Sequence, residues 1–545
     1  MRSSFFDFNV AISGVFTAKN NLEVVSHNTA NAAVHGFSRQ VAAQRASEPL
    51  ALNTGKGMVG NGSEVYEITQ ARDIFLDSKY WTQCAVVGEY SGKKSLLAMM
   101  ENVFNEINGN VGLSAGITDF FAKASDLSTT ANDATYRTNL IQSADSLAKL
   151  INLDAEALRK QQIDANTEVS IVVERINNLG EQIINLNRQI SIEELDGSHA
   201  NDLRDERARL TDELSKLVNT DAREVDLGTE VNPNNKHYIV MINGYDFVNH
   251  YNINPLLIVP RKSEKRNPMD ADGLYDIVFA TTGLVFDIYH PSLKGRLKGL
   301  IDVRDGNGAS EAADTLPTTD YKGIPYYLEK LNTLVRRLAL AIDQGVFVDG
   351  DDAGASYADG APIGTTGQAY GYNLYGDSLG TLLFTNGSGQ TKGTLTARPG
   401  LAVLPPDFYR QMNCFNFSVN RELMLDPRLL NCAPDPEQGE SAYAVTRGFA
   451  SVNENPSLFR EGKLIDFLTA INSELGIDAR QANDFEASYT DMTSVIDNQR
   501  INVSGVDINE EMINMVKNQQ LFQASARLVS AINSIYDMLI NRLGA

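Results

Sequence analysis

The chain has 545 residues, 43% hydrophobic and 21% charged, with 41 glycines and 16 prolines; this composition excludes disordered and fibrous classes, and the length suits roughly three or four domains. Acidic residues outnumber basic ones 69 to 47, a formal charge of -22, which repels phosphate backbones and anionic lipid and predicts no nucleic-acid and no membrane partner. Residues 1–50 carry a net +1 and residues 503–545 a net -1, so the acidity lies between them, as packed ends beneath a solvated exterior would require.

No uncharged apolar run reaches the ~20 residues of a membrane span. The N-terminal MRSSFFDFNVAISGVF is interrupted by Asp7 and Asn9 and followed by no small-x-small cleavage pattern, so no cleaved secretory signal is expected. In the same segment Phe8, Ala11, Val15, Ala18, Leu22 and Val25 repeat at spacings of three and four, the seam of a helix ending near Asn28. NTANAAVHGFSRQ then reads as irregular chain turning back into an extended stretch.

Leu140, Ala144, Leu147 and Ile151 point to one helix and Val169, Val172, Ile176, Leu179, Ile183, Leu186 and Ile190 to a further one. A turn at DGS (196–198) precedes NDLRDERARLTDELSKLV, predicting an antiparallel helical hairpin. From about 223 the period changes to that of strands. HYIVMINGYDFV carries Asn243-Gly244, a two-residue hairpin signal, and LLIV, YDIVFA and LVFDIY read as further strands. Leu328, Leu331, Leu334, Leu338 and Ile342 restore helical spacing, and residues 348–400 then hold 12 of the 41 glycines, predicting loops and short strands.

The C-terminal seam Met512, Met515, Gln519, Phe522, Ala526, Val529, Asn533, Tyr536, Ile540 and Leu543 is apolar at eight of ten places. A second stripe, Leu521, Ala524, Leu528, Ala531, Ile535 and Met538, lies beside it, making an apolar face wide enough for more than one neighbour. No second strong helix is read directly adjoining either terminal helix to form a hairpin with it, so the simplest partner for each is the other, or the same helix of another subunit. Isolated, such helices lose their apolar contacts to water, and the ends are expected to order only on assembly.

Motifs for chemistry are weak. GKGMVG has glycines at 55, 57 and 60 but is followed by the strand-like EVYEI, so a turn rather than a dinucleotide site is expected. GDSLG at 376–380 matches a nucleophile elbow at Ser378, yet all six histidines precede it, against the order such hydrolases use. VDGDDAG places Ala353 and Gly360 where a calcium loop needs oxygen ligands. The histidines form no zinc motif, and Cys84, Cys414 and Cys432 are too scattered for a disulfide framework or CxxC site. Glu510 and Glu511 suit the positive end of the last helix. No catalytic, cofactor-binding or metal residue is assigned, and no enzyme activity is expected.

The segments SGVFTAKNNLEVVSHNTANAAVHGFSRQ and GNGSEVYEITQARDIFLDSKYW resemble the start of flagellar axial proteins, and the SRQ after a Gly-aromatic pair is similar to the hook-associated protein 1 (FlgK) family of the hook-filament junction. NDLRDERARLTDELSKLV, GRLKGLIDVRD, FSVNRELMLDPRLLNCA and NQRINVSGVDINEEMINMVKNQQLFQASARLVSAINSIYDMLINRL follow in the family's order. His35 and the three cysteines depart from its usual pattern. The resemblance implies a multidomain α+β fold in which a terminal α-helical coiled coil (1–50 with 503–545) lies inside an elongated helical-bundle domain (51–222 with 293–347 and 440–502). A β-rich segment (223–292) and a Gly-rich β/loop outer domain (348–439) are inserted. It further implies a structural subunit at the hook-filament junction, assembling with itself as a ring or tube through the two terminal seams. Hook protein, a second hook-associated junction protein and a cytoplasmic export chaperone are the implied partners. Location in the extracellular flagellum after type III export follows. Another axial protein, a surface hydrolase using Ser378, and an adhesin in the Gly-rich insertion are the alternatives.

Overall fold

The computed structural model describes residues 6–51, 58–104, 112–227, 236–261, 265–309, 317–345, 367–395, 402–405, 407–435 and 444–542. Helix α1 (Phe6–Asn31) leads to strand β1 (Gln40–Ala46), which pairs antiparallel with β4 (Ser63–Gln70); the short β2 (Leu50–Ala51) and β3 (Met58–Val59) pair between them. Asn28 sits inside α1 because its amide clasps the returning chain. Its Nδ2 donates to the Gln40 carbonyl and its Oδ1 accepts the Gln40 N–H, both at 2.9 Å. Part of GKGMVG lies outside the described residues; Met58 and Val59 are in β3.

Next come α2 (Ile74–Val103), α3 (Leu113–Leu127), α4 (Ala134–Glu193) and α5 (Asn201–Leu217). The two helices read separately at 140–151 and 169–190 are one 60-residue helix, α4, about 90 Å long. No breaker lies between them, and buried Ala155, Leu158, Gln162 and Ala165 carry the inward strip across the gap. Gln162 hid the continuity because it is polar. Its side-chain amide is fully used: Nε2 donates to Asp270 Oδ1 and the Arg304 carbonyl at 2.8 Å, and Oε1 accepts the Ala271 N–H at 2.9 Å. The strut fixes the β-rich insertion to the middle of α4. The predicted α4–α5 hairpin forms, and its turn braces the β1–β4 ribbon through Asn201 to the Ile68 carbonyl and His199 to Glu67, both at 2.8 Å.

Strands β5 (Thr220–Asp226), β6 (Lys236–Ile242), β7 (Tyr245–Asn249) and β8 (Asn252–Ile253) form one antiparallel sheet, and β9 (Leu256–Pro260) pairs with β10 (Tyr275–Phe279). Asn243 and Gly244 take φ of 47° and 81°, the left-handed pair that a two-residue hairpin requires. LVFDIY is not a strand. It follows β10 through a bridge at Val285, while Phe286 and Ile288 turn into the core, so its alternation reflects burial without a full ladder. The layer rests on α4, where Gly180 gives Phe247 room: a Cβ there would meet the Phe247 ring at 2.7 Å.

Helices α6 (Arg296–Asp305) and α7 (Ile324–Gln344) return to the bundle. The described part of the glycine-rich stretch carries the two-residue strands β11 (Phe384–Thr385), β12 (Thr394–Leu395), β13 (Ala402–Val403) and β14 (Ser418–Val419), followed by the short α8 (Arg421–Leu425). Its apolar residues Leu382, Leu383, Phe384 and Phe417 join the same buried core as α3, α4 and α7. VDGDDAG lies outside the described residues. Then come α9 (Ala444–Val452), α10 (Leu464–Ser504) and α11 (Ile508–Arg542).

Helix α10, a 41-residue helix not placed by the sequence reading, directly precedes the terminal one without forming a hairpin with it. Its apolar period was obscured by polar residues on three sides, and only its first half is deeply buried, at Leu464, Phe467, Leu468, Ile471, Leu475 and Ala482. It does not fold back on α11. It lies along α2, with the Tyr90 ring 5.1 Å from Phe485 and 5.9 Å from Tyr489.

Replacing Gln162 with Leu leaves Asp270, the Arg304 carbonyl and the Ala271 N–H buried without this partner, at a cost of roughly 2–3 kcal/mol. Thermal unfolding of the Gln162→Leu chain is expected several degrees below that of the parent; an unchanged melting curve would show that the strut contributes nothing.

Candidate assembly interface

The helices at the two chain ends pack on each other. Gly14 lies against Ser525 and Arg39, beyond α1, reaches Glu510 and Glu511, so α1 and α11 run antiparallel. Small residues set the separation: a Cβ on Gly14 would lie 2.9 Å from Ser525 Oγ. Ala11, Ala18 and Val25 are buried on the same side of α1, and Phe8, Val15 and Leu22 are half-buried.

On α11 the inward strip is rotated from the predicted seam. Met515, Ala526, Val529 and Tyr536 are half-buried, while Met512 is 57% and Phe522 36% exposed. Ser525 and the buried Ile532 take the inward positions instead. The polar Ser525 concealed this, since periodicity counts apolar residues and close packing selects small ones. The side chains of Ile540 and Leu543 lie outside the described residues.

The second stripe flanks the contact with α1 and stays open to solvent. Leu521, Leu528, Ile535 and Met538 are each 48–51% exposed, and Ala524 and Ala531 are exposed with them. Further exposed apolar residues lie N-terminal to it, Ile508, Ile513 and Val516 on α11 and Ile501 and Val503 at the end of α10. A helix of about 52 Å with such a flank presents apolar surface that single-chain proteins usually cover.

Where the terminal pair meets the helical body, four distant segments converge on a polar joint around a cavity of about 640 Å³. Arg39 Nε donates to the buried Glu511 at 2.8 Å and its Nη2 to Glu510 at 2.8 Å. The Arg39 N–H donates to the Ser504 carbonyl and the Ser38 N–H to Asp205, both at 2.7 Å. Arg500 bridges Asp77 at 2.8 Å and Asp212 at 2.9 Å, and Asp212 also accepts the Trp81 indole N–H at 2.6 Å. Asp507 caps α11 by accepting the Asn509 N–H at 2.8 Å, so the two glutamates stand at the positive end of the helix as their sequence position suggested. Arg39, Arg500, Asp77 and Asp212 were missed as a group, because they lie in four separate stretches of sequence that only the tertiary fold brings together.

Ser378 lies in irregular chain between Gly376 and Gly380, both at positive φ, rather than on a strand-turn-helix elbow, and its buried hydroxyl has no hydrogen-bond partner among the described residues. Among the described residues no group of three His, Cys, Asp or Glu is placed to hold a metal ion. All three cysteines are free and buried, and burial pushes the Cys414 thiol up to about 12 and the Cys432 thiol up to about 11.

A chain closed by its own terminal helices, with apolar surface left over along the joined ends, has the architecture of a flagellar axial protein. Residues 97–346 match the family described as the flagellar hook-associated protein FlgK helical domain, and residues 462–543 match the bacterial flagellin C-terminal helical region. Flagellar hook-associated protein 1 of Bacillus subtilis is 25% identical over 565 residues, covering 100% of this chain and 99% of the relative. That of Escherichia coli is 25% identical over 562 residues, covering 98% and 99%. The solved flagellar hook junction protein FlgK from Burkholderia pseudomallei has 14% identity and a TM-score of 0.55, and the match covers 79% of this chain and 100% of that one, showing a shared fold. The chain is thus similar to the hook-associated protein 1 (FlgK) family over nearly its whole length.

Replacing Arg39 with Ala leaves Glu511 buried and without its cation, a loss of roughly 3–5 kcal/mol for a buried pair broken on one side. Hydrogen exchange is expected to accelerate in the first turns of α11 while α4 stays protected; equal protection of α11 in both proteins would remove Arg39 from the joint.

Proposed function

We propose that this chain is a structural subunit of the bacterial flagellum that forms the junction between hook and filament, assembling through its terminal helices. The observation that carries this reading is the solvent-facing stripe on α11: the α1–α11 pair is complete within one chain, yet Leu521, Leu528, Ile535 and Met538 remain half exposed. Covering four such side chains against neighbouring copies contributes several kcal/mol per contact, because each gains roughly half of the ~1.5–3 kcal/mol of full burial. Full-length similarity to proteins named hook-associated protein 1 supports the same reading.

Within this reading the predicted residues have two roles. Ala11, Ala18, Val25, Val529 and Tyr536 close the pair inside one subunit, whereas Met512, Phe522 and the second stripe face the neighbours. Hook protein on one side and a second hook-associated protein on the other are the axial partners. A cytoplasmic chaperone would shield α11 before export through the flagellar type III apparatus. The acidic exterior keeps unassembled subunits apart.

Two substitutions on α11 separate these roles. Leu528→Asp puts a charge on the outer flank, where the single chain tolerates it but a neighbour must desolvate it. The purified chain should keep its helical circular dichroism while filaments fail to grow on hooks. Ile532→Asp should instead loosen the α1–α11 pair in the monomer itself, seen as rapid proteolysis of both ends. Normal filament attachment in the Leu528→Asp strain would refute the outer stripe as the assembly surface.

A further inference from the structure

A smaller cavity, of about 290 Å³, sits at the α4–α5 turn beside the β5–β8 sheet and shares no lining residue with the joint. Its charged wall comprises Arg204, Arg207 and Lys236 against Glu194 and Glu224, three cations to two carboxylates in a chain that is otherwise strongly acidic. Both carboxylates are already engaged. Arg204 holds Glu194 through two bonds of 2.7 and 2.8 Å and Glu224 at 2.8 Å, and Arg207 takes Glu224 at 2.5 Å. Lys236 has no hydrogen bond or ion pair among the described residues, so it is the unbalanced charge.

Beside it, His250 is only 6% exposed, yet its Nδ1 has no hydrogen-bond partner among the described residues. This residue is held in place deliberately: its φ is 54°, its N–H donates to the Tyr238 carbonyl at 2.9 Å, and its carbonyl accepts Asn187 Nδ2 at 2.8 Å. Its ring stacks on His237 with centroids 4.1 Å apart. Burial, with His237 and Arg207 alongside, holds the His250 pKa down to about 4, so at neutral pH the ring is an uncharged hydrogen-bonding group. A buried polar atom left unpaired costs about 1–3 kcal/mol unless something supplies its partner. Around the cavity, Ile192, Leu195 and Tyr251 are 66%, 78% and 41% exposed, an apolar rim to a polar floor.

We propose that this cavity binds a carboxylate, received between the Lys236 ammonium and the Nδ1–H tautomer of His250, with Ile192 and Leu195 covering the aliphatic flank of its carrier. The carrier is either a small organic acid or an acidic side chain on a docked polypeptide. Arg204 and Arg207 act indirectly, by neutralising Glu194 and Glu224 so that the anion meets no net repulsion from the floor. Neither the lysine nor the imidazole takes part in the junction reading, so the two stand or fall separately.

The test is histidine-selective NMR of the full-length chain. Sodium succinate and, separately, a synthetic peptide of alternating leucine and glutamate are titrated at constant ionic strength, with sodium chloride as the reference. The His250 ring resonances are expected to move with succinate and not with chloride, and Lys236→Ala is expected to raise the half-saturation concentration about tenfold, the equivalent of about 1.4 kcal/mol. If the carrier is a polypeptide, the peptide saturates at lower concentration than succinate and Leu195→Ser removes that advantage; if it is a small acid, succinate binds as tightly or better and Leu195→Ser changes little. Both substituted residues are exposed or half-exposed, so the variants should fold. Resonances that respond to neither acid, or equally to chloride, or that titrate identically in the Lys236→Ala chain, would overturn the site.

Discussion

Arg39 and Glu511 are 472 positions apart and meet at 2.8 Å. That ion pair closes the chain on itself, and the close approach of Gly14 to Ser525 carries the closure along the terminal helices. Without it, α1 would be an isolated helix of 26 residues and α11 one of 35, each with an apolar side in water. Local propensity stabilises such helices only marginally, so their order comes from packing. Glu511 is nearly inaccessible, and one guanidinium neutralises it through Oε1 and ties it to Glu510, so the joint is built of arginines and carboxylates rather than apolar residues. A polar joint also specifies one register between the pair and the body, since slipping it would bury unpaired charge.

The helical body works by a related rule at longer range. Helix α4 is the axis on which both excursions rest, and polar residues at chosen points of its buried strip determine where they attach. Gln162 holds the Asp270–Ala271 turn, Asn166 accepts from the Tyr275 N–H and from Arg304, and Asn177 exchanges two bonds with Leu256. Apolar neighbours such as Leu158, Val169 and Ile176 provide adhesion without direction. The amides provide the direction.

Much of this was legible in the residues. The two terminal helices, the α4–α5 hairpin, the Asn243-Gly244 turn and the α7 helix follow from spacing and turn chemistry, and the blocks shared with flagellar axial proteins run through the same elements. The errors have physical causes. Gln162 broke an apolar repeat that the fold completes by hydrogen bonding, so one helix looked like two. Val285 and Phe286 alternate like a strand because the core takes alternate side chains, although the backbone finds little partner. Helix α10 is half buried and half exposed, which dilutes its period, and Ser525 faces inward because a small side chain is needed there. The joint could not be read at all, because Arg39, Asp77, Asp212, Arg500 and Glu511 acquire meaning only when the fold assembles them.

The decisive measurement is electron cryomicroscopy of hooks with their attached junction zone, at a resolution that places side chains on α11. Leu521, Leu528 and Ile535 should be covered by helices of neighbouring subunits, while each subunit keeps its own α1 against Ile532 and Ser525. A zone in which that flank faces water, or in which α1 and α11 of one chain have parted to lie in separate bodies, would contradict assembly through a self-closed terminal pair.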